Sequence, residues 1–88
     1  MYVHIGKDYI LETKNIIGIF DISTLSKEYD SLFQNVEEVI DLSNGLNKTL
    51  IITKSKNRTK YYITNIQSTT IGKRVLRDKK YTESNFSL

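Results

Sequence analysis

Cysteine, proline and tryptophan are absent from this 88-residue chain, and histidine occurs once. Without cysteine there are no disulfides, no thiolate metal sites and no CxxC redox motif. The single His4 rules out Cys–His pairs and paired-histidine metal sites. A Ser-His-Asp triad would have to recruit His4 from inside the first extended segment. Such triads are defined by geometry, and the plainer reading is a partly covered strand histidine. Glu37, Glu38 and Asp41 leave carboxylate pairs open, but neighbours on an extended segment point to opposite faces, so Glu37 and Glu38 do not easily converge. No catalytic residue, cofactor or metal site is expected. Long apolar runs are missing too: none approaches the roughly 20 residues of a membrane helix. The opening Met1-Tyr2-Val3-His4-Ile5-Gly6 has no basic segment leading into an apolar stretch, so no secretory signal is expected and the chain is expected in the cytoplasm, away from membranes.

With 39% hydrophobic and 26% charged residues the chain has the balance of a folded domain. At this length it forms one domain that buries roughly two-thirds of its unfolded surface, so association with copies of itself would help. The net charge of +3 conceals a division. Residues 1–47 hold three lysines against eight acids, whereas residues 48–80 hold ten basic residues against Asp78 alone. Such a split points to an acidic partner surface, nucleic acid first, against the alternative of a solvated basic face that aids solubility.

Along the chain, 2–5 alternate as a half-buried strand, Gly6-Lys7-Asp8 reads as a tight turn, and Tyr9-Ile10-Leu11 resumes an extended run. Ile16-Ile17-Gly18-Ile19-Phe20 is apolar on both faces, as in a central strand, with Gly18 marking a bulge or a close backbone approach. Ser23 or Thr24 can cap a helix whose stripe is Leu25, Tyr29, Leu32, Phe33 and Val36. Residues 39–64 read as a three-stranded meander, turning first at Asn44-Gly45 and then through a polar loop, Lys54–Lys60, with four positive charges. Ser68 or Thr69 can cap a last helix docked by Ile71, Val75 and Leu76, with Lys73, Arg77 and Lys80 along one face and Arg74 beside it; basic residues there also suit the helix dipole.

Three cationic clusters could grip phosphates: Lys48 near the first turn, Lys54, Lys56, Arg58 and Lys60 around the second, and Lys73, Arg74 and Arg77 on the last helix. Tyr61 and Tyr62 flank the basic loop. Alternation sends them to opposite faces, so one is expected in the core while the other could stack on a base. No phosphate-binding glycine loop, calcium loop or helix-turn-helix is present.

The order Met1–Gly6, Thr13–Asp21, Val39-Ile40-Asp41, Tyr62-Ile63-Thr64 and Ser68-Thr69 resembles the RemB (YaaB) group, itself similar to the bacterial extracellular-matrix regulator RemA. The resemblance spans roughly residues 1–76. It implies a small cytoplasmic bacterial protein tied to control of biofilm matrix genes, and RemA-type proteins bind DNA as closed rings with a basic rim. Gly45 matches the RemA-type turn glycine, but Leu46 and Asn47 stand where paired arginines follow it, with Lys48 one position later. Asn15, beside Lys14, stands where a further arginine precedes the central strand, and Arg74 matches an arginine of the last helix.

Residues and resemblance together predict an α+β domain over 1–78, a small, strongly bent antiparallel sheet of five to six short strands with a central helix near 24–35 and a C-terminal helix near 69–78, followed by a polar tail, 79–88. The expected nucleic-acid contacts are Lys14, Lys48, Lys54, Lys56, Arg58, Lys60, Lys73, Arg74 and Arg77. The expected function is a non-enzymatic, homo-oligomeric regulator, a ring as the RemA resemblance implies, that binds double-stranded DNA. The alternative is a protein–protein assembly module that modulates a RemA-like protein without touching DNA.

Overall fold

The computed structural model describes residues 1–25, 31, 33 and 36–76. The chain opens with a hairpin. β1 (Tyr2–Gly6) and β2 (Tyr9–Glu12) pair antiparallel, with Val3 opposite Leu11 and His4 opposite Ile10. Val3, Ile5 and Leu11 are buried while Tyr2, His4 and Ile10 are exposed, the two-residue period of a strand covered on one face. His4 is exposed rather than partly covered, because it lies on the outer face, where its Nε2 sits 2.6 Å from the Lys7 carbonyl oxygen across the turn.

A single 3-10 turn, Thr13–Asn15, leads into β3 (Ile16–Asp21), and a second, Ile22–Thr24, follows it. β4 (Glu38–Leu42), β5 (Thr49–Ser55) and β6 (Arg58–Thr64) complete a four-stranded sheet of order β3-β5-β6-β4. A helix covers 68–76. Among the described residues no helix is long and apolar enough to cross a membrane.

The α+β class and six short strands match the sequence reading, but the single antiparallel sheet does not. The strands form two sheets, and the larger is mixed: β4 runs parallel to β6, from Glu38 opposite Lys60 to Leu42 opposite Thr64. Residues 39–64 are therefore not a meander. The Asn44-Gly45 turn does form, with φ of 54° and 87° and the Leu46 N–H donating to the Ser43 carbonyl at 3.0 Å. It sits, however, within the longer connection 43–48, which steps over one strand position, and β6 fills the gap. The tight two-residue turn lies later, at Lys56-Asn57, with φ of 52° and 66°. Positive φ at both central residues matches the strand twist of a hairpin, so β6 folds locally onto β5 and leaves its other edge for β4.

β3 is an edge strand rather than a central one. Its apolar run suggested burial on both faces, yet Ile17 is 62% exposed. The register slips between Ile16 and Gly18, a bulge that turns the strand locally. The Phe20 ring lies over Gly18, where a Cβ would stand 2.6 Å from Phe20 Cε2, so this glycine serves both as a bulge and as a close approach.

Two apolar clusters lie on the two faces of the larger sheet. Ile51 and Tyr62 join Val3, Ile5 and Leu11 of the hairpin and Ile71 and Val75 of the helix. Leu50, Tyr61 and Ile63 meet Ile22, Leu25, Phe33 and Val36 on the opposite face. Both tyrosines are thus buried, one on each side, and Tyr61 packs edge-on to Phe33 at 5.3 Å. Most of the predicted helix near 24–35 lies outside the described residues, although Ser31 is helical. The two residues expected to cap it are used earlier. Ser23 donates through N–H and Oγ to Asp21 Oδ1, and Thr24 Oγ1 donates to the Asp21 carbonyl, so Asp21 caps the 3-10 turn.

The last helix docks as the spacing requires: Ile71 and Val75, one turn apart, are 0% and 6% exposed. Leu76, also expected to dock, is 64% exposed, because one residue further on rotates the side chain about 100° around the axis. Residues 77–78 and the tail 79–88 lie outside the described residues. Ile71→Ala is expected to cost about 2–5 kcal/mol of unfolding free energy, and Leu76→Ala no more than about 0.5 kcal/mol. Urea denaturation of both variants measures the difference; equal losses would contradict this docking.

Candidate nucleic-acid interface

The β5–β6 register decides which way each cation points. Ser55 pairs with Arg58, Lys54 with Thr59, Thr53 with Lys60 and Ile51 with Tyr62. Directly paired residues project to the same face. Arg58, Lys60 and Tyr62 therefore share one face with Thr53 and Ser55, while Lys54 lies on the other. The polar stretch 54–60 is not a loop: it is the end of β5, a two-residue turn and the start of β6. Its polarity hid a strand period that continues unbroken from Tyr62 back to Arg58.

Lys56, Arg58 and Lys60 line an open groove of about 480 Å³ between this hairpin and the β2 segment, which contributes Leu11, Glu12 and the following Asn15. Thr53, Ser55 and Tyr62 line it as well. Lys60 is half-buried, and Glu38 of β4 is its parallel-register neighbour. Among the described residues the one salt bridge joins Lys14 Nζ to Glu12 Oε1 at 3.6 Å, so no acid within bonding distance neutralises the three groove cations. Burial, then the negative charge of Glu38, pushes the Tyr62 phenol above its usual range and keeps it a hydrogen-bond donor. Tyr62 is only 7% exposed and packs edge-on to Tyr9 at 6.1 Å.

The remaining predicted contacts lie apart. Lys54 projects from the back of the hairpin. Lys48 stands at the opposite end of β5, about 20 Å away at 3.3 Å per strand residue. There it lines a second cavity of about 400 Å³ with Asp21, Ser23 and Ser68. Its backbone is held at both ends, donating to the Thr64 carbonyl and accepting from Ile22 N–H, each at 3.0 Å. Lys73 is exposed on the helix. Arg74 Nη1 donates to the His4 carbonyl at 2.8 Å, tying the helix to β1. Lys14 leans on Glu12 beside the groove, and Arg77 lies outside the described residues. Within one protomer the cations thus form separate groups, of which Lys56, Arg58 and Lys60 make the densest. Sequence reasoning missed Glu12, Thr53 and Ser55 as groove residues. The last two share the alternation that places Lys60 and Arg58, whereas only tertiary packing brings Glu12 near.

The turn that carries Lys48 has its own electrostatic support. Asp41 Oδ1 accepts from the Ser43 N–H and hydroxyl, and the same hydroxyl lies against the Asn47 side chain. These bonds hold the Asp41 carboxyl below its usual range, the hydroxyl contributing most and then the Ser43 N–H; desolvation opposes them, and the Lys7 charge adds a smaller lowering effect.

The class so defined is a small α+β module with an unneutralised cationic groove beside a buried tyrosine. Extracellular matrix regulatory protein B of Bacillus subtilis (strain 168) is 31% identical over 78 residues, covering 84% of this chain and 89% of that protein. The chain belongs to the extracellular matrix regulatory protein B family. No family model matches it, and no solved structure does.

A carboxyl whose folded pKa is depressed contributes stability above its unfolded value that is lost as pH falls through the folded one. The Asp41 contribution is therefore present at neutral pH and disappears in acid, below 3.8. Asp41→Asn should lower the urea midpoint at pH 7, and its gap from the parent should narrow as pH falls below 3.8; a gap that stays constant into acid would remove the carboxylate from this role.

Proposed function

We propose that the chain is a homo-oligomeric regulator of extracellular-matrix genes that holds double-stranded DNA by its phosphate backbone through the basic β5–β6 hairpin. The observation that carries this reading is the rigid presentation of Lys54, Lys56, Arg58 and Lys60 around a two-residue turn, with no described acid in bonding contact. The name of its relative, a matrix regulator, supports the regulatory part. Lysines dominate the set, so the contact is one of backbone charge more than base reading. A patch of three charges is weak alone; repeated around an oligomer it gains avidity, because later contacts are intramolecular. Such repetition would also gather patches that one protomer keeps apart.

A second reading is an assembly module that acts on a RemA-like regulator without contacting DNA. It is favoured by the apolar side chains left in water: Tyr2, Ile10, Ile17 and Leu46 are each at least 60% exposed. Leu46 stands on the very turn where RemA-type sequences carry arginine.

Fluorescence polarisation of a labelled duplex separates the two. On the DNA reading, three neutralised phosphates imply that affinity falls roughly 40-fold between about 50 and 200 mM salt. Reversing charge at Lys56, Arg58 and Lys60 together should abolish binding with the circular dichroism spectrum unchanged. Absence of binding at low salt, or binding insensitive to salt, would leave the assembly reading. Light scattering that gives a strict 10.2 kDa monomer at micromolar concentration would remove oligomerisation from both.

A further inference from the structure

Two features of the groove are not explained by a duplex lying across the hairpin. The first is Tyr62. The residue is 7% exposed and lines the groove, and its hydroxyl makes no hydrogen bond to any described residue. A buried phenol normally finds a partner, so a donor left open toward a cavity marks a place for an acceptor from outside. The second is Glu12. Its carboxylate lines the same groove as Lys56, Arg58 and Lys60 and is engaged from the side by Lys14 and by the Asn15 amide. A carboxylate opposes a continuous polyanion, but it accepts hydrogen bonds from the hydroxyls of a ligand that is anionic at one end only. The groove is also concave and, at about 480 Å³, falls within the roughly 300–1,000 Å³ of small-ligand sites. Leu11 and the Tyr62 ring add an apolar patch among these polar groups.

We propose that this groove binds a small phosphate monoester with a hydroxylated body, of nucleoside monophosphate size: Lys56, Arg58 and Lys60 hold the phosphate, the Tyr62 hydroxyl donates to it, and Glu12 accepts from the hydroxyls of the body, which rests on Leu11. The groove cations are those of the hairpin, so the monoester and a duplex compete for them. The site itself does not depend on duplex binding, because the phenol and the carboxylate are explained without DNA.

The test is titration of the full chain, followed by amide chemical shifts at constant ionic strength, with adenosine 5′-monophosphate, ribose 5-phosphate, inorganic phosphate and adenosine as separate arms. Both monoesters should give saturable shifts at residues 53–62. Inorganic phosphate should bind about tenfold more weakly, having no body to place, and adenosine should not saturate. Tyr62→Phe keeps the ring in the core and should weaken the monoesters about tenfold, the effect of one hydrogen bond to a charged group. Arg58→Ala, at an exposed strand position, should abolish saturation. Non-saturating shifts, equal affinity for phosphate and its esters, or indifference to both Tyr62→Phe and Arg58→Ala would overturn the proposal. Saturable monoester binding without duplex binding would uphold this site while ending the DNA reading; duplex binding without monoester saturation would do the reverse.

Discussion

The pairing of β5 with β6 is the constraint on which the rest of the molecule depends. Lys56 and Asn57 both take positive φ, and this two-residue turn fixes the register from Ser55 opposite Arg58 to Thr49 opposite Thr64. A slip of one residue would exchange the faces of every side chain in a strand. In the register observed, Ile51 and Tyr62 enter one cluster while Leu50, Tyr61 and Ile63 enter the other, so a single hairpin supplies the centre of both. β3 and β4 then add to its two outer edges. The charged tip and the apolar middle are parts of one continuous ladder, which is how Lys56, Arg58 and Lys60 come to be presented on rigid backbone.

That arrangement also orders the cations by what holds them. Arg74 serves the fold, since its guanidinium reaches the His4 carbonyl and joins helix to hairpin. Lys14 is opposed by Glu12. Lys48 sits at the end of the sheet where the Asp41, Ser43 and Asn47 side chains brace the turn. Among the described residues, only at the β5–β6 tip do three cations converge on a concave surface, beside Tyr62 and the carboxylate of Glu12. A uniformly positive face would suit any polyanion. A groove with an acceptor set among its cations, and a hydroxyl donor left open, is more selective.

How much of this could be read from the chain depends on the range of the interaction concerned. Period two revealed β1, and the i, i+4 pair Ile71 and Val75 revealed the docking face of the last helix. Gly18 announced its bulge, and Asn44-Gly45 its turn. The errors have a common source. The apolar run 16–20 reads as a central strand, but side chains do not record which neighbour lies at a strand's edge. Lys54–Lys60 reads as a loop because its polarity outweighs its alternation. Asn44-Gly45 reads as a hairpin because a local turn does not state whether the strands it separates lie side by side.

The sequence by itself determined the α+β class, the strand segments of the second half, the concentration of positive charge there and the kinship to matrix regulators, because these follow from composition, short-range period and local turn chemistry. Tertiary structure alone decided that β6 enters between β5 and β4, that β3 stands at an edge, and that Glu12 faces Arg58 and Lys60 across a groove. Those outcomes depend on which distant segments cover each other's apolar faces, and that choice is made by the whole chain at once.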